Sequence, residues 1–520
     1  MNEEADEFDI VVLGGTPGGL AAAIAAARLG SSVLLVEYHD HLGGMSSSGL
    51  GKSDVEKPHL IGGLFEEFTK RMRQYYLETF GEESEDFELC KNGYYFEPSA
   101  AERIFREMLD ECDGLTILTN HRIGEARVEG KTVTGISIVD RADDQERWVA
   151  GSVFIDGTYE GDLLAAAGAE FRLGRESREE FDEPHAGEIY FDYQEAKFLP
   201  RTTGRADRRL PAYTYRLCLS TRPENSVPLE SEPEDYDRSE YLGYFDDLAA
   251  GRLSGPKNWK PDRGYEPAHF DTMVRAFSVT TLPNGKTDVN INPRPLGFPF
   301  GEENVGYVEG DDAARQVIFR RIRNLVLGLL YFLQNDSEIP EAHRAIANQY
   351  HLPLDEFTDN GHFPFQLYVR EARRLVGEYT LTEHDITESG GPGIGRHPDT
   401  IAIGEFPIDS FPCRKKQPGD DIVLEGYLGM LDSITRPYEI PYRIMIPKVI
   451  DGLIVPVAAS TTHVAFSSIR MEPTWMCLGQ AAGIAAHLAV KHELPPRAIP
   501  ISELQTILAR EGQVLQHSNH

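Results

Sequence analysis

Residues 9–19 read "DIVVLGGTPGG", an apolar run that breaks into a glycine-rich turn, and residues 20–30 continue as "LAAAIAAARLG". Ile10 to Leu13 have the pattern of a short buried strand, and Leu20 to Leu29 have helix-favouring composition with little polar content. Strand, tight turn and buried helix therefore follow in the order of a dinucleotide-binding βαβ unit. The fingerprint G-x-G-x-x-G falls on Gly14 and Gly19, with Thr16 at its middle position. The first glycine makes the turn, the last allows close helix packing, and the helix N-terminus offers free N–H groups and a positive dipole end to a pyrophosphate. Thr16 affects only the closest backbone approach, and its hydroxyl is expected to be able to donate to a phosphate. Further on, "SSVLLVE" (31–37) is a second buried strand ending at Glu37. An acid about 20 residues beyond the turn is what ribose hydroxyls require.

The chain has 520 residues, more than one core holds, so two domains or one elaborated domain are expected. A hydrophobic content of 41% with 26% charged residues predicts a soluble globular protein, and no apolar run is long enough for a membrane span. The start, "MNEEADEFD", is acidic and carries neither a basic nor an apolar leader region, so no secretory signal is expected. Five scattered cysteines without a CxxC pair fit a reducing cytoplasm and offer no metal framework. The net charge of −33 excludes nucleic acid as an expected partner, since a phosphate backbone would be repelled. Only 13 of the 51 basic residues are Lys; salt adaptation and ordinary solubility both accommodate this.

After Glu37, "YHDHLGGMSSSGLGKSD" is a loop of small residues whose backbone can approach a flat ligand closely. Helical stretches follow at "LIGGLFEEFTKRMRQYY" and "FEPSAAERIFREMLDEC". Next, "LTILTN", a hairpin turning near Gly130–Lys131, and "WVAGSVFID" ending at Asp156 read as strands. That order predicts a nucleotide-binding domain in which a β-meander replaces one crossover. From about residue 181 to 435 the composition shifts to Pro, acidic stretches and aromatics around one long helix, "DAARQVIFRRIRNLVLGLLYFLQN". The ending reverts to a buried strand, "IDGLIVPVAAS", and a helix rich in small residues, "EPTWMCLGQAAGIAAHLAVKH". A second glycine patch, "GGPGIG" (390–395), follows "LTEHDITES" rather than an apolar strand and is read as a loop, which leaves no second nucleotide domain.

Beyond the turn, "HLGGMSSSGLG", "FIDGTYEGDLLAAAGAEFRLGRES", "YRLCLSTRPEN", "LYVREARRLVGEYTLTEHD" and "HVAFSSIRMEPTWMCLGQAAG" closely resemble a family of FAD-dependent oxidoreductases, some of whose members carry a xanthan-lyase-like label. The resemblance runs from about residue 8 to about residue 490, and "GGTPGG" is similar to that family's own form of the turn. It implies the glutathione-reductase-type FAD fold, an α/β architecture. A Rossmann-like three-layer FAD-binding domain with a β-meander (1–180) would be completed by the C-terminus (436–520), with a mixed α+β substrate domain (181–435) inserted between. It also implies FAD as the cofactor, with Gly14, Gly15, Thr16, Gly18 and Gly19 around the pyrophosphate and Glu37 on the adenosine ribose. Gly43, Gly44 and Met45 follow closely enough to run beside the flavin. Asp156 and Gly157 resemble the second FAD signature, in which a carboxylate orders the ribityl–pyrophosphate region; an N-cap for the following helix is the alternative role for Asp156.

In that fold the helix beginning near Pro473, with Glu472 as its expected cap, turns its positive end toward the flavin pyrimidine, with Arg470 and Met471 near the ring. Hydride transfer to flavin N5 needs a group for the substrate proton. His463, in the expected loop before the last helix, is the leading candidate, ahead of His41 and Tyr159. "VREARRLVGEY" is expected to be helical, setting Arg370 and Arg374 on one face with Arg373 beside them. Such a cluster would clamp a substrate carboxylate or phosphate, or form a solvated ion-pair face with Glu371 and Glu378. The expected activity is hydride transfer between a small molecule, carbohydrate or otherwise hydroxylated, and the flavin. Electrons would pass to or from oxygen, a diffusing nicotinamide or a carrier protein. Redox-neutral isomerisation, a non-catalytic FAD-binding module and a flavin-independent lyase are the alternatives.

Overall fold

The structure, a computed structural model, describes residues 6–192, 196–249, 276–291, 301–388, 396–417 and 423–517. Strand β1 (Asp6–Leu13) lies centrally, parallel to β2 (Val33–Val36) on one edge and to β6 (Glu146–Asp156) on the other. β3 (Leu115–Leu118) extends the sheet beyond β2. On its far edge β6 is shared. Its N-terminal half pairs antiparallel with β5 (Thr132–Asp140), which pairs with β4 (His121–Glu129), and its C-terminal end pairs parallel with β12 (Leu453–Ile454). The result is a seven-stranded sheet in the order β3-β2-β1-β6-β5-β4 with β12 on β6, a Rossmann-like α/β sheet carrying a meander.

Strand alternation explains the continuous apolar run of β1. Ile10 and Val12 enter the core shared with helix α1 (Pro17–Arg28), whereas Val11 and Leu13 enter the core on the opposite face with Ile136, Ile138 and Leu164. A parallel strand covered on both faces needs no polar positions. Helix α1 is buried from Pro17 to Ala27. It meets the late helix α7 (Glu472–His492) through small residues: a Cβ on Gly479 would overlap Gly18 O, and one on Gly483 would overlap Ala22 O. Strand β12 and helix α7 thus complete the layer begun by residues 9–36; one further helix, Ile501–Arg510, follows them.

The intervening chain builds a three-stranded sheet from β8 (Leu217–Ser220), β10 (Lys286–Ile291) and β9 (Phe277–Thr281), with β10 in the middle. The long helix α5 (Asp312–Asn335) is capped by Asp311, whose side chain accepts from Ala314 N. Its first turn reaches the main sheet, where Tyr38 donates to Asp312 Oδ1 at 2.5 Å. Residues 369–379 are not helical. They run extended, and β11 (Arg374–Leu375) pairs antiparallel with β7 (Phe171–Arg172). The expected single helical face of Arg370 and Arg374 therefore does not exist, because strand pairing and buried polar partners override local helix propensity. The patch at 390–395 lies outside the described residues. Among the described residues no helix is long and apolar enough to cross a membrane.

Candidate active site

Strand register sets the site. Leu13 pairs with Val36 on one side and Asp156 on the other, so Gly14, Glu37 and Gly157 leave the sheet level with one another at its carboxyl end. Gly14 has φ +98°, and a Cβ there would lie 2.7 Å from the Gly157 carbonyl carbon. A Cβ on Gly19 would overlap Gly14 O, while Cβ atoms on Gly15 and Gly18 would meet Leu42 at 2.8 Å and Val457 at 2.9 Å. Each glycine is thus fixed by a neighbouring backbone or side chain. Thr16 caps α1: its hydroxyl accepts from Gly19 N at 3.2 Å and donates to Gly157 O at 2.7 Å. Its one proton is used inside the protein, which corrects the expectation of donation to a phosphate.

Beside the turn lies a cavity of 330 Å³ whose lining includes Gly14, Thr16, Glu37, His39, Ile123 and Thr158. Glu37 Oε2 accepts from Gly15 N at 2.5 Å and Oε1 from His39 N at 2.8 Å. Burial pushes this carboxyl up to about 7, against the two backbone bonds. The half-buried His39 ring is pushed down to about 3 by desolvation and then by Arg141, so it is neutral. Opposite, Asp162 is gripped by Arg315 at 2.6 Å and Arg373 at 2.9 Å. A glycine turn, a helix N-terminus and a buried acid around one cavity suit the adenylate and pyrophosphate half of FAD. Asp156 is occupied within the chain: Oδ1 accepts from Thr158 N and Oγ1, and Oδ2 from Leu164 N at 2.7 Å. It caps the short helix α4 (Asp162–Ala166) from across a loop, and burial pushes it up to about 6.

A second polar centre joins three distant segments. Met45 N donates to Tyr159 Oη at 3.0 Å, and Tyr159 donates to Glu472 Oε1 at 2.6 Å. Gly43 and Gly44 have φ +102° and +50°, and a Cβ on Gly44 would overlap the Tyr159 hydroxyl. Met471, not Glu472, is the N-cap of α7; Glu472 and Pro473 are its first two residues. Met471 carries no side-chain oxygen, so no side-chain cap is formed there, and Pro473 has no N–H that would need one. Glu472 Oε2 is buried without a partner, and burial pushes this carboxyl up to about 8 while the Tyr159 bond opposes it. That orphaned oxygen, at a helix N-terminus beside a glycine loop, suits the polar edge of a flavin.

His463 begins a short helix, α6 (His463–Ile469), rather than lying in a loop, because Thr462 caps it. Its Nδ1 lies 2.7 Å from Glu371 Oε2, and its N–H donates to Glu176 Oε2 at 2.9 Å. It does not line the cavity. His41 is engaged at both ring nitrogens, by Glu102 and Asp359, each at 2.8 Å. Arg374 is buried on Glu176, Thr461 O and Gly174 O, with Nε 2.9 Å from Glu371 Oε1 but not aligned to donate. Arg373 reaches Asp162, Glu160 O and Val308 O. These are interior clamps, and the solvated face with Glu371 is absent because Glu371 is itself 2% exposed. Arg370 donates to Ala212 O and to Asn290 Oδ1 at 3.3 Å, and Arg470 to Tyr368 Oη at 3.1 Å and Asp409 O at 2.7 Å. Sequence reasoning missed the Arg216–Asp288 pair, 2.5 Å apart and buried. Its signal was a charge set within the apolar stretches "YRLCLS" and "KTDVNI". Among the described residues no group of His, Cys, Asp and Glu is arranged to hold a metal.

A family model described as FAD dependent oxidoreductase matches residues 9–508. Among curated proteins, the dihydrolipoyl dehydrogenase of Zymomonas mobilis is 61% identical over 41 residues, 8% of this chain and 9% of that protein. The 4,4'-diaponeurosporene oxygenase of Staphylococcus aureus is 40% identical over 74 residues, 13% of this chain and 15% of that protein. The chain thus spans a small part of the curated relatives it matches. Among solved structures, a myxobacterial FAD-dependent halogenase of chondrochloren is 13% identical with a TM-score of 0.28, covering 64% of this chain and 63% of that one. The glycerol-3-phosphate dehydrogenase of Bacillus halodurans complexed with FAD is 15% identical with a TM-score of 0.23, covering 41% and 46%.

Proposed function

The chain belongs to the FAD dependent oxidoreductase family; on that premise we propose that it is an FAD-dependent oxidoreductase that moves a hydride between a carbon of a small hydroxylated molecule and flavin N5. The observation that carries this reading is a convergence at the carboxyl ends of the parallel strands β1, β2 and β6. There the Gly14–Gly19 turn, Glu37 and the Met45–Tyr159–Glu472 chain of hydrogen bonds come together with the start of α7. Held there, FAD supplies the hydride acceptor. The chain supplies the rest. Glu37 would hold the ribose and the N-terminus of α1 the pyrophosphate, and the free N–H groups of α7 would favour negative charge at the pyrimidine edge.

For the substrate proton, His463 is supported by Glu371 on its Nδ1, which selects the tautomer that leaves Nε2 to accept. A second reading is favoured by one observation: Glu472, with its orphaned oxygen and raised carboxyl, sits in the second polar centre itself. Residues 181–435 would form the substrate domain, since Arg216, Asp288, Arg370 and Asp409 all come from it. Parallel pairing of the named strands is confined to the one sheet, which supports an electron acceptor from outside: oxygen, a diffusing nicotinamide or a carrier protein. The five free cysteines support a reducing cytoplasm.

The purified protein is expected to be yellow and to release FAD on denaturation. Mixed anaerobically with small alcohols, hydroxy acids and sugars, it should bleach with its substrate. His463→Asn should keep FAD and slow bleaching by about 10²–10⁴-fold. If Glu472→Gln slows it instead, the second reading replaces the first. Turnover with no acceptor consumed would mean isomerisation rather than net oxidation.

A further inference from the structure

The arginines near the start of α7 differ sharply in how well they are satisfied. Arg216 has Asp288 at 2.5 Å and Asp54 at 3.8 Å. Arg470 has Tyr368 Oη, Asp409 O and the Asp409 carboxylate at 3.6 Å. Arg373 and Arg374 each hold a carboxylate. Arg370 is the exception: 1% exposed, it reaches only the neutral oxygens of Ala212 and Asn290, and its Nε has no acceptor. Among the described residues no carboxylate pairs with it. The rings of Phe411 and Tyr368 lie 3.6 and 4.4 Å from its central carbon, so its immediate surroundings are apolar.

A buried guanidinium without a counter-ion is costly, because the charge loses its hydration and gains only weak acceptors. Burial, joined by repulsion from Arg470 and Arg216, draws Arg370 down to about 9 against the pull of Tyr368 and Asp409. The location is informative as well. Arg470 immediately precedes Met471 and Glu472 at the start of α7, and a Cβ on Gly49, in the loop after Met45, would overlap Arg216 O. Arg370 and Arg470 share the Tyr368 and Phe411 rings, which sets the under-satisfied cation beside the segment that leads into α7.

We propose that Arg370, with Arg470 beside it, receives a carboxylate of the substrate, which makes that substrate an organic acid. The aromatic walls favour a flat anion meeting the guanidinium edge-on, the geometry of an Arg–carboxylate fork. In a chain of net charge −33, an anionic substrate needs such a local cation to enter at all. This inference rests on the FAD-dependent reading of the same site.

The test uses FAD-loaded protein, titrated in air with acetate, lactate, malonate and succinate, with acetamide as the neutral control and inorganic phosphate as a second anion. The readout is the visible flavin spectrum, together with the melting temperature of flavin-free protein. A saturable carboxylate response that acetamide does not give is expected. Arg370→Gln should weaken it by about 10–100-fold, and Arg370→Lys, which keeps the charge but loses the fork, by about tenfold. The Lys variant keeps the test open if the Gln variant fails to fold. A response to phosphate alone, no carboxylate response in the parent protein, or one retained in both variants overturns the assignment. If FAD is bound and a neutral alcohol bleaches it while carboxylates do nothing, only this inference fails; a protein that holds no FAD fails the underlying reading.

Discussion

Glu37 serves the turn and the cavity together. Its two oxygens accept from Gly15 and His39, tying the turn after β1 to the segment after β2, and the same side chain lines the cavity. Glu37→Gln keeps one oxygen acceptor and the shape, so the protein should fold while FAD affinity falls by about 1.5–3 kcal/mol, the worth of a hydrogen bond to a charged group. Glu37→Ala should lose at least as much affinity and also lower the melting temperature of flavin-free protein, because a buried N–H of the turn is left unpartnered. Fluorescence titration with FAD and thermal melts separate the effects, and unchanged affinity in both variants would remove Glu37 from the site. Thr16 shows the limit of reading at this scale. The sequence places it in the turn, but only the partner Gly157, 141 residues away, shows where its proton goes.

Helices α1 and α7 meet backbone to backbone, and the spacing responsible is visible in the sequence: Gly18 and Ala22 on one helix, Gly479 and Gly483 on the other. No side chain can enter that seam without pushing α7, and with it Glu472, away from the turn. Gly479→Val should therefore cost at least about 3 kcal/mol, the upper part of the range for overpacking, because the obstruction is backbone rather than a movable side chain. FAD retained per chain should fall with it, whereas Lys491→Val, at the exposed end of α7, should change neither. Visible absorbance and a circular-dichroism melt check both; a Gly479→Val protein as yellow and stable as the parent sinks the account. The stretch "VREARRLVGEY" was legible as charged, but neither its burial nor its extended backbone was. Its Arg and Glu spacing fits a helix, and the pairing of Arg374 with Arg172 that makes it a strand comes from 202 residues earlier.

Across the molecule, burial moves several carboxyls the same way: Glu37 up to about 7, and Glu183, Glu356 and Glu472 up to about 8. Each has a folded value above its ordinary 4.5, so its contribution to stability is fully present below that value and is lost as pH rises through the folded one. The net charge of −33 acts in the same direction through self-repulsion at higher pH. Flavin-free protein should therefore melt at progressively lower temperature between about pH 5 and about pH 9, and Glu472→Gln, which cannot ionise, should flatten that slope. A melting temperature that rises over this interval would contradict the burial assigned to these groups.

What the sequence determined by itself was local and periodic. It set the strand–turn–helix of residues 9–29, the acid ending the second strand, the meander, the long helix, and the small-residue helix that completes the layer. These depend on neighbours a few positions apart and on which faces are apolar, so composition and spacing carry them. Only the tertiary structure decided the partners. Glu472 meets Tyr159 across 313 residues and His463 meets Glu371 across 92. Of the arginines at residues 370, 373 and 374, only Arg370 lacks a carboxylate among the described residues. A charged residue looks the same in sequence whether it is paired or not; the difference is made by which distant oxygens the fold brings within hydrogen-bond reach once water has been excluded.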